Sequence, residues 1–154
     1  MNKFMKKITI LAIMLINMLG LTACVNTGAD TSKTPGESKM TMEMELDKDY
    51  DDKDPFVNEK LFCVSEDLDE LNADGTLKMD GEAIVLEVKN NKTKEVLWSK
   101  TWEGNVKSEP LSISLEKMSK AEEYVVTLTG TKINYAAIEI TFDSNLVQER
   151  VKPS

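Results

Sequence analysis

The sequence predicts an all-β domain, a small two-sheet antiparallel sandwich of about seven strands. Three observations predict it. From residue 40 onward the apolar residues recur with period two, as in strands with one buried and one wet face. Turn-forming residues (Gly75, Gly81, Gly104, Pro110 and Gly130) stand between the apolar runs. No segment carries a sustained helical stripe, and only Ser65 to Leu71 reads as a short helical turn.

The strands follow in order. Met40, Met42, Met44 and Leu46 alternate with Thr41, Glu43 and Glu45. Leu61-Phe62-Cys63-Val64 is apolar on both sides, as in a fully buried strand. Ile84, Leu86 and Val88 alternate with Val85, Glu87 and Lys89. Asn90-Asn91-Lys92-Thr93 then supplies turn chemistry, so Glu95 to Trp102 is expected to return as a hairpin partner. Leu111, Ile113 and Leu115 form the next inward set, followed by Tyr124, Val126 and Leu128, and then by Ile138, Ile140 and Phe142.

The segment ahead of this domain is an address. Lys3, Lys6 and Lys7 precede an uncharged apolar run from Ile8 to Leu21. A run of about 14 residues is short for a permanent span of hydrocarbon and suits a secretory signal. Leu21-Thr22-Ala23-Cys24 follows directly and resembles the lipobox of bacterial lipoproteins. That resemblance implies cleavage between Ala23 and Cys24, with a diacylglycerol on the Cys24 thiol and an acyl chain as the only attached groups. It also implies residence on the extracytoplasmic face of the cell membrane, because two acyl chains at ~0.8 kcal/mol per buried CH₂ hold a protein stably there. Residues 1–23 are then a cleaved signal and 24–39 the lipidated cysteine with a tether. Residues 40–146 are the β domain and 147–154 a C-terminal tail. The tether, Val25 to Lys39, is rich in Thr, Ser, Gly and Asp and has too few apolar residues to offset chain entropy.

Charge is unevenly spread. The chain carries 19 Lys plus Arg against 27 Asp plus Glu, a net of −8. Removing residues 1–23 takes away three lysines and leaves −11. Residues 43–70 hold 12 acids and three lysines, a net of −9, so the acidity is local. This balance excludes a nucleic-acid surface, which needs clustered cations. With one arginine, Arg150, and no glycine-rich phosphate loop, a nucleotide site is not expected either. The chain has no histidine, which removes Ser-His and Cys-His nucleophile activation and every zinc site needing imidazole.

Near Leu115 a second resemblance appears. Met118-Ser-Lys-Ala-Glu-Glu-Tyr124-Val-Val-Thr-Leu128 is similar to the tyrosine-corner region of fibronectin type III and other immunoglobulin-like domains. It implies an immunoglobulin-like sandwich in which Tyr124 buries its ring and hydrogen-bonds backbone across the preceding connection. The family's Pro-Gly in that turn is replaced here by Lys120-Ala121.

Few residues invite chemistry. Cys63, flanked by Phe62 and Val64, reads as a buried small hydrophobe without a disulfide once Cys24 is lipidated. Asp47, Asp49 and Asp51 alternate in the acidic run and are weak calcium candidates, since position six is Asp52 rather than Gly. Glu70-Leu-Asn72-Ala-Asp74-Gly75 is a second imperfect loop. Met40, Met42 and Met44 share a face that suits core or soft metal, with core the expected use. Trp98 and Trp102 share a strand face with Val96 and Lys100. One is expected in the core; the other, beside Lys100 and Glu103, is a candidate for ligand contact. The functional expectation is a non-enzymatic protein-interaction module at the envelope, anchored by lipid. The alternatives are a calcium- or carbohydrate-binding lipoprotein, or an accessory or inhibitory subunit of an envelope complex.

Overall fold

The computed structural model describes residues 39–48 and 55–151. Seven strands form: β1 (Thr41–Asp47), β2 (Phe56–Val64), β3 (Leu68–Asn90), β4 (Val96–Glu103), β5 (Val106–Met118), β6 (Tyr124–Phe142) and β7 (Val147–Arg150). Every pairing is antiparallel. The all-β expectation holds. The two layers are halves of one hydrogen-bonded sheet, because β3 and β6 are long enough to run through both.

The first half is ordered β4-β3-β6-β2-β7, using Ala83 to Asn90 of β3 and Tyr124 to Gly130 of β6. The second is ordered β5-β3-β6-β1, using the N-terminal part of β3 and residues 135–142 of β6. Between them the β3–β6 ribbon bends where the register shifts at Asp80/Gly81. Gly81 has φ 157°, a backbone that side-chain-bearing residues rarely adopt, and Lys132, next to its cross-strand partner Ile133, has φ 48°. Asn105 braces the bend, its Oδ1 accepting from the Gly81 N–H at 3.1 Å.

This bend explains why the glycines misled. Gly75, Gly81, Gly130 and Pro110 lie inside strands, and Gly104 alone among those turn signals sits in a turn, with φ 74°. At Gly75 a Cβ would fall on the carbonyl oxygen of Glu139 in β6, so the glycine marks a close backbone approach. The expected helical turn at Ser65 to Leu71 is a bend followed by the start of β3. Residues 147–150, expected as tail, form β7 on the β2 edge.

The halves close over one core. The inward residues of β1 (Met42, Met44, Leu46) join those of β3, β5 and β6 from the same half and Ile84, Leu86, Val88 and Val126 from the other. The methionine ladder is therefore core. Phe62 links the halves, its ring 5.4 Å from Tyr124 and 5.0 Å from Phe142. Aromatic pairs at such separations add ~0.5–1.5 kcal/mol beyond area burial.

Candidate functional site

Trp98, Lys100 and Trp102 stand on the inner side of β4, opposite Val88, Leu86 and Ile84. The register shifts between Val88 and Lys89, so Leu97 packs toward the core while Val96 pairs with Lys89 and is 48% exposed. Val96 therefore leaves the face that the alternation assigned it. Trp102 is the buried ring, at 5% exposure. Its indole N–H donates to Glu109 Oε1 at 2.8 Å, and Lys100 Nζ donates to the same oxygen at 3.0 Å. The Lys100 ammonium also lies 4.7 Å from the centroid of the Trp102 ring. Both donors hold the Glu109 carboxyl below the usual carboxylate range. This trio latches β4 to β5 across the open edge of the sandwich. Trp102 thus offers neither a free ring face nor a free N–H, and Trp98 is half-buried against the core.

The opposite end carries the tyrosine corner. Tyr124 Oη accepts the Ser119 N–H at 2.7 Å and lies 3.3 Å from Glu122 Oε2. Burial, as the larger effect, with Glu122 nearby, pushes the phenol above its ordinary range. Two asparagines tie this turn to the β3–β4 turn. Asn90 Nδ2 donates to Glu122 at 2.8 Å, and Asn91 Nδ2 to Glu123 at 2.6 Å. Asn90 Oδ1 also accepts the N–H groups of Lys92 and Thr93, each at 3.0 Å. A cleft of about 410 Å³ opens here, lined by Cys63, Asn91, Lys92, Ala121, Glu122, Glu123 and Arg150.

Cys63 is buried as expected, at 3% exposure, but it lies outside the contiguous core cluster and is engaged in a disulfide. The chain has two cysteines, and the other, Cys24, lies outside the described residues, as do Ala23 and the rest of the lipobox. The strand run 61–64 is apolar on both sides, which hid which residues face outward.

Asp47 closes β1 and is exposed, while Asp49 and Asp51 lie outside the described residues. Glu70, Asn72 and Asp74 lie along β3 rather than in a loop, so their backbone does not wrap around an ion. Among the described residues, no three His, Cys, Asp or Glu side chains converge as metal ligands. The pairing instead reveals an acidic outer face on the second half. Glu43 stands directly opposite Glu139, and Glu70 opposite Glu116. Like charges facing across a ladder destabilise it by a fraction of a kcal/mol each. Neither pair was visible before the register was known.

The fold and its surfaces define an all-β extended-strand domain whose side-chain clusters join strands and turns to one another. Residues 29–154 match the family described as "Domain of unknown function (DUF4624)", and the chain belongs to that family. No curated protein matches it. Among solved structures, a chain from "Bacillus endospore appendages form a novel family of disulfide-linked pili" is similar at a TM-score of 0.34 and 10% identity. That match covers 75% of this chain and 96% of the other.

Proposed function

We propose that this protein is an extracytoplasmic lipoprotein, held on the membrane through Cys24, whose β domain is a non-enzymatic protein-interaction module. The observation that carries the reading is the lipobox Leu21-Thr22-Ala23-Cys24, set behind three lysines and an uncharged apolar run. The spacing supports it. Residues 25–39 separate Cys24 from a strand that begins at Thr41, and extended they reach about 50 Å. That length lifts a sandwich clear of lipid headgroups. The acidic outer face adds repulsion from anionic lipid and polymer.

Non-enzymatic binding is favoured by the residue types. Without histidine, a neutral-pH base would have to be a carboxylate with a raised pKa, or a lysine, tyrosine or cysteine with a lowered one. Among the described residues, Glu109 is held low and Tyr124 is held high, each away from that range. The lipid reading carries a chemical constraint. A Cys24 sulfur in a thioether cannot also enter a disulfide, so the lipidated form leaves Cys63 as a thiol. Membrane fractionation tests the anchor. Cys24→Ala is expected to move the protein from the membrane to the soluble fraction. A variant that stays membrane-bound and still incorporates labelled fatty acid refutes the proposal.

A further inference from the structure

Each half of the sandwich ends in two edge strands, β4 and β7 in the first, β5 and β1 in the second. Exposed edges ordinarily carry a device that prevents pairing with another chain: a bulge, a proline, an inward charge or shortness. β4 has the register shift at Val88/Lys89 and the inward Lys100. β5 has Pro110, a register shift at Leu77/Met79 and Lys117 at φ 56°. β7 has four residues. β1 has none of these: it runs for seven residues in unbroken register with β6, without a proline or an inward charge.

The free side of β1 follows from its ladder. Phe142 N–H donates to Met40 O at 3.0 Å, and Lys48 N–H donates to Asn134 O at 3.3 Å. Both bonds continue the register of β1 on β6, so even-numbered residues bond to β6 and odd-numbered ones point their peptide groups the other way. Thr41, Glu43 and Glu45 are of the second kind, and all three are exposed. One edge acceptor is already in use. Asn58 Nδ2 of β2 donates to Glu45 O at 3.0 Å, which leaves that carbonyl its second lone pair. Beyond β6 the first half has two strands, β2 and β7, and the second half has β1. Among the described residues, the lane beside β1 holds no strand.

We propose that this edge accepts an extended segment of a partner protein as an added strand, with lysine or arginine at every second position. Charge selects that partner. Glu43 and Glu45 stand on the outer face of β1, and Glu139 stands opposite Glu43. None of the three is in an ion pair among the described residues. A strand added ~4.8 Å away sets its own outward side chains against Glu43 and Glu45. Cations there relieve the Glu43–Glu139 repulsion. A second copy of β1 brings glutamates against glutamates and is rejected. The backbone ladder supplies affinity, and the two glutamates supply specificity. The inference rests on the reading of the domain as an interaction module and not on the lipid.

Peptide titration tests the edge. The chain of residues 24–154 bearing Cys24→Ser is titrated with a peptide that alternates lysine with valine or threonine. A second peptide of equal charge has proline at the intervening positions and cannot lie as a strand. The alternating peptide is expected to bind about ten-fold tighter than the proline peptide and to slow amide exchange at Glu43 and Glu45 about ten-fold or more. Glu43→Pro removes an edge donor without touching the β6 ladder and is expected to weaken binding about ten-fold. If circular dichroism shows that variant unfolded, exchange at the unsubstituted edge decides. Equal affinity for the two peptides, or no binding by either, overturns the proposal. Binding with unchanged exchange at Glu43 and Glu45 also overturns it, while leaving the domain an interaction module through another surface. The lipid reading fails on a different readout, the absence of lipid on Cys24.

Discussion

Tyr124→Phe isolates the interaction that ties the β5–β6 connection to the core. The substitution keeps the ring that stacks on Phe62 at 5.4 Å and deletes only the hydroxyl. That hydroxyl accepts the Ser119 N–H at 2.7 Å, a short and well-formed bond. Its loss leaves one backbone donor at a half-buried turn, for which about 1–2 kcal/mol is the appropriate scale. At about 4–8 °C per kcal/mol in a small domain, that corresponds to a fall in Tm of about 4–16 °C. Urea unfolding followed by fluorescence measures it, with an unchanged m-value showing that the denatured state is unaffected. The variant also tests the raised phenol pKa. A group whose folded pKa is raised contributes stability that is complete below its unfolded pKa and lost as pH climbs through the folded one. Wild-type stability should therefore decline above about pH 10, and Tyr124→Phe should remove Tyr124's share of that decline. A Phe variant within about 0.5 kcal/mol of wild type, below the usual net worth of such a bond, with the same alkaline slope, refutes the tyrosine-corner account.

Three further outcomes follow from other parts of the fold. Gly75→Ala forces a Cβ onto the Glu139 carbonyl and is expected to cost more than 3 kcal/mol, in the range of severe core lesions; a soluble variant with wild-type urea midpoint contradicts the close β3–β6 approach. Glu109→Gln weakens the latch to Lys100 and Trp102. The Glu109 pKa is lowered, so its contribution is present above the ordinary carboxylate range and lost as pH falls through the folded value. The wild-type and Glu109→Gln midpoints should accordingly converge in acid, and a constant gap argues against the latch. Acrylamide quenching should reach Trp98 more readily than Trp102, read by comparing the single-tryptophan variants Trp98→Phe and Trp102→Phe; a freely quenched Trp102 would restore it as a ligand-contact candidate.

Much of the fold was legible because period-two patterning survives in β1, β3, β5 and β6. The long strands were not legible as such. A glycine between two apolar runs reads as a turn, but in β3 and β6 it lets one strand bend or approach a neighbour without leaving the ladder. The strand β7 has one buried apolar residue, Val147, too little for a periodic signal. The tryptophan face was correct for Trp98, Lys100 and Trp102 and broke at Val96, where the register shift intervenes. The outward side of β2 was hidden for a different reason. Leu61 to Val64 is apolar at every position, so alternation could not tell Phe62, which joins the core, from Cys63, which turns away. The glutamate pairs 43–139 and 70–116 are far apart in sequence, and only register brings them together.

The anchor can be tested at a single sulfur. Protein extracted from membranes in mild detergent, unfolded in urea, treated with iodoacetamide without reduction and digested, gives two decisive peptides. The account predicts that the N-terminal peptide begins at Cys24 and carries the mass of a diacylglycerol thioether, and that Cys63 is carbamidomethylated. A Cys24 peptide without lipid, joined to the Cys63 peptide through a disulfide, would contradict the lipoprotein reading.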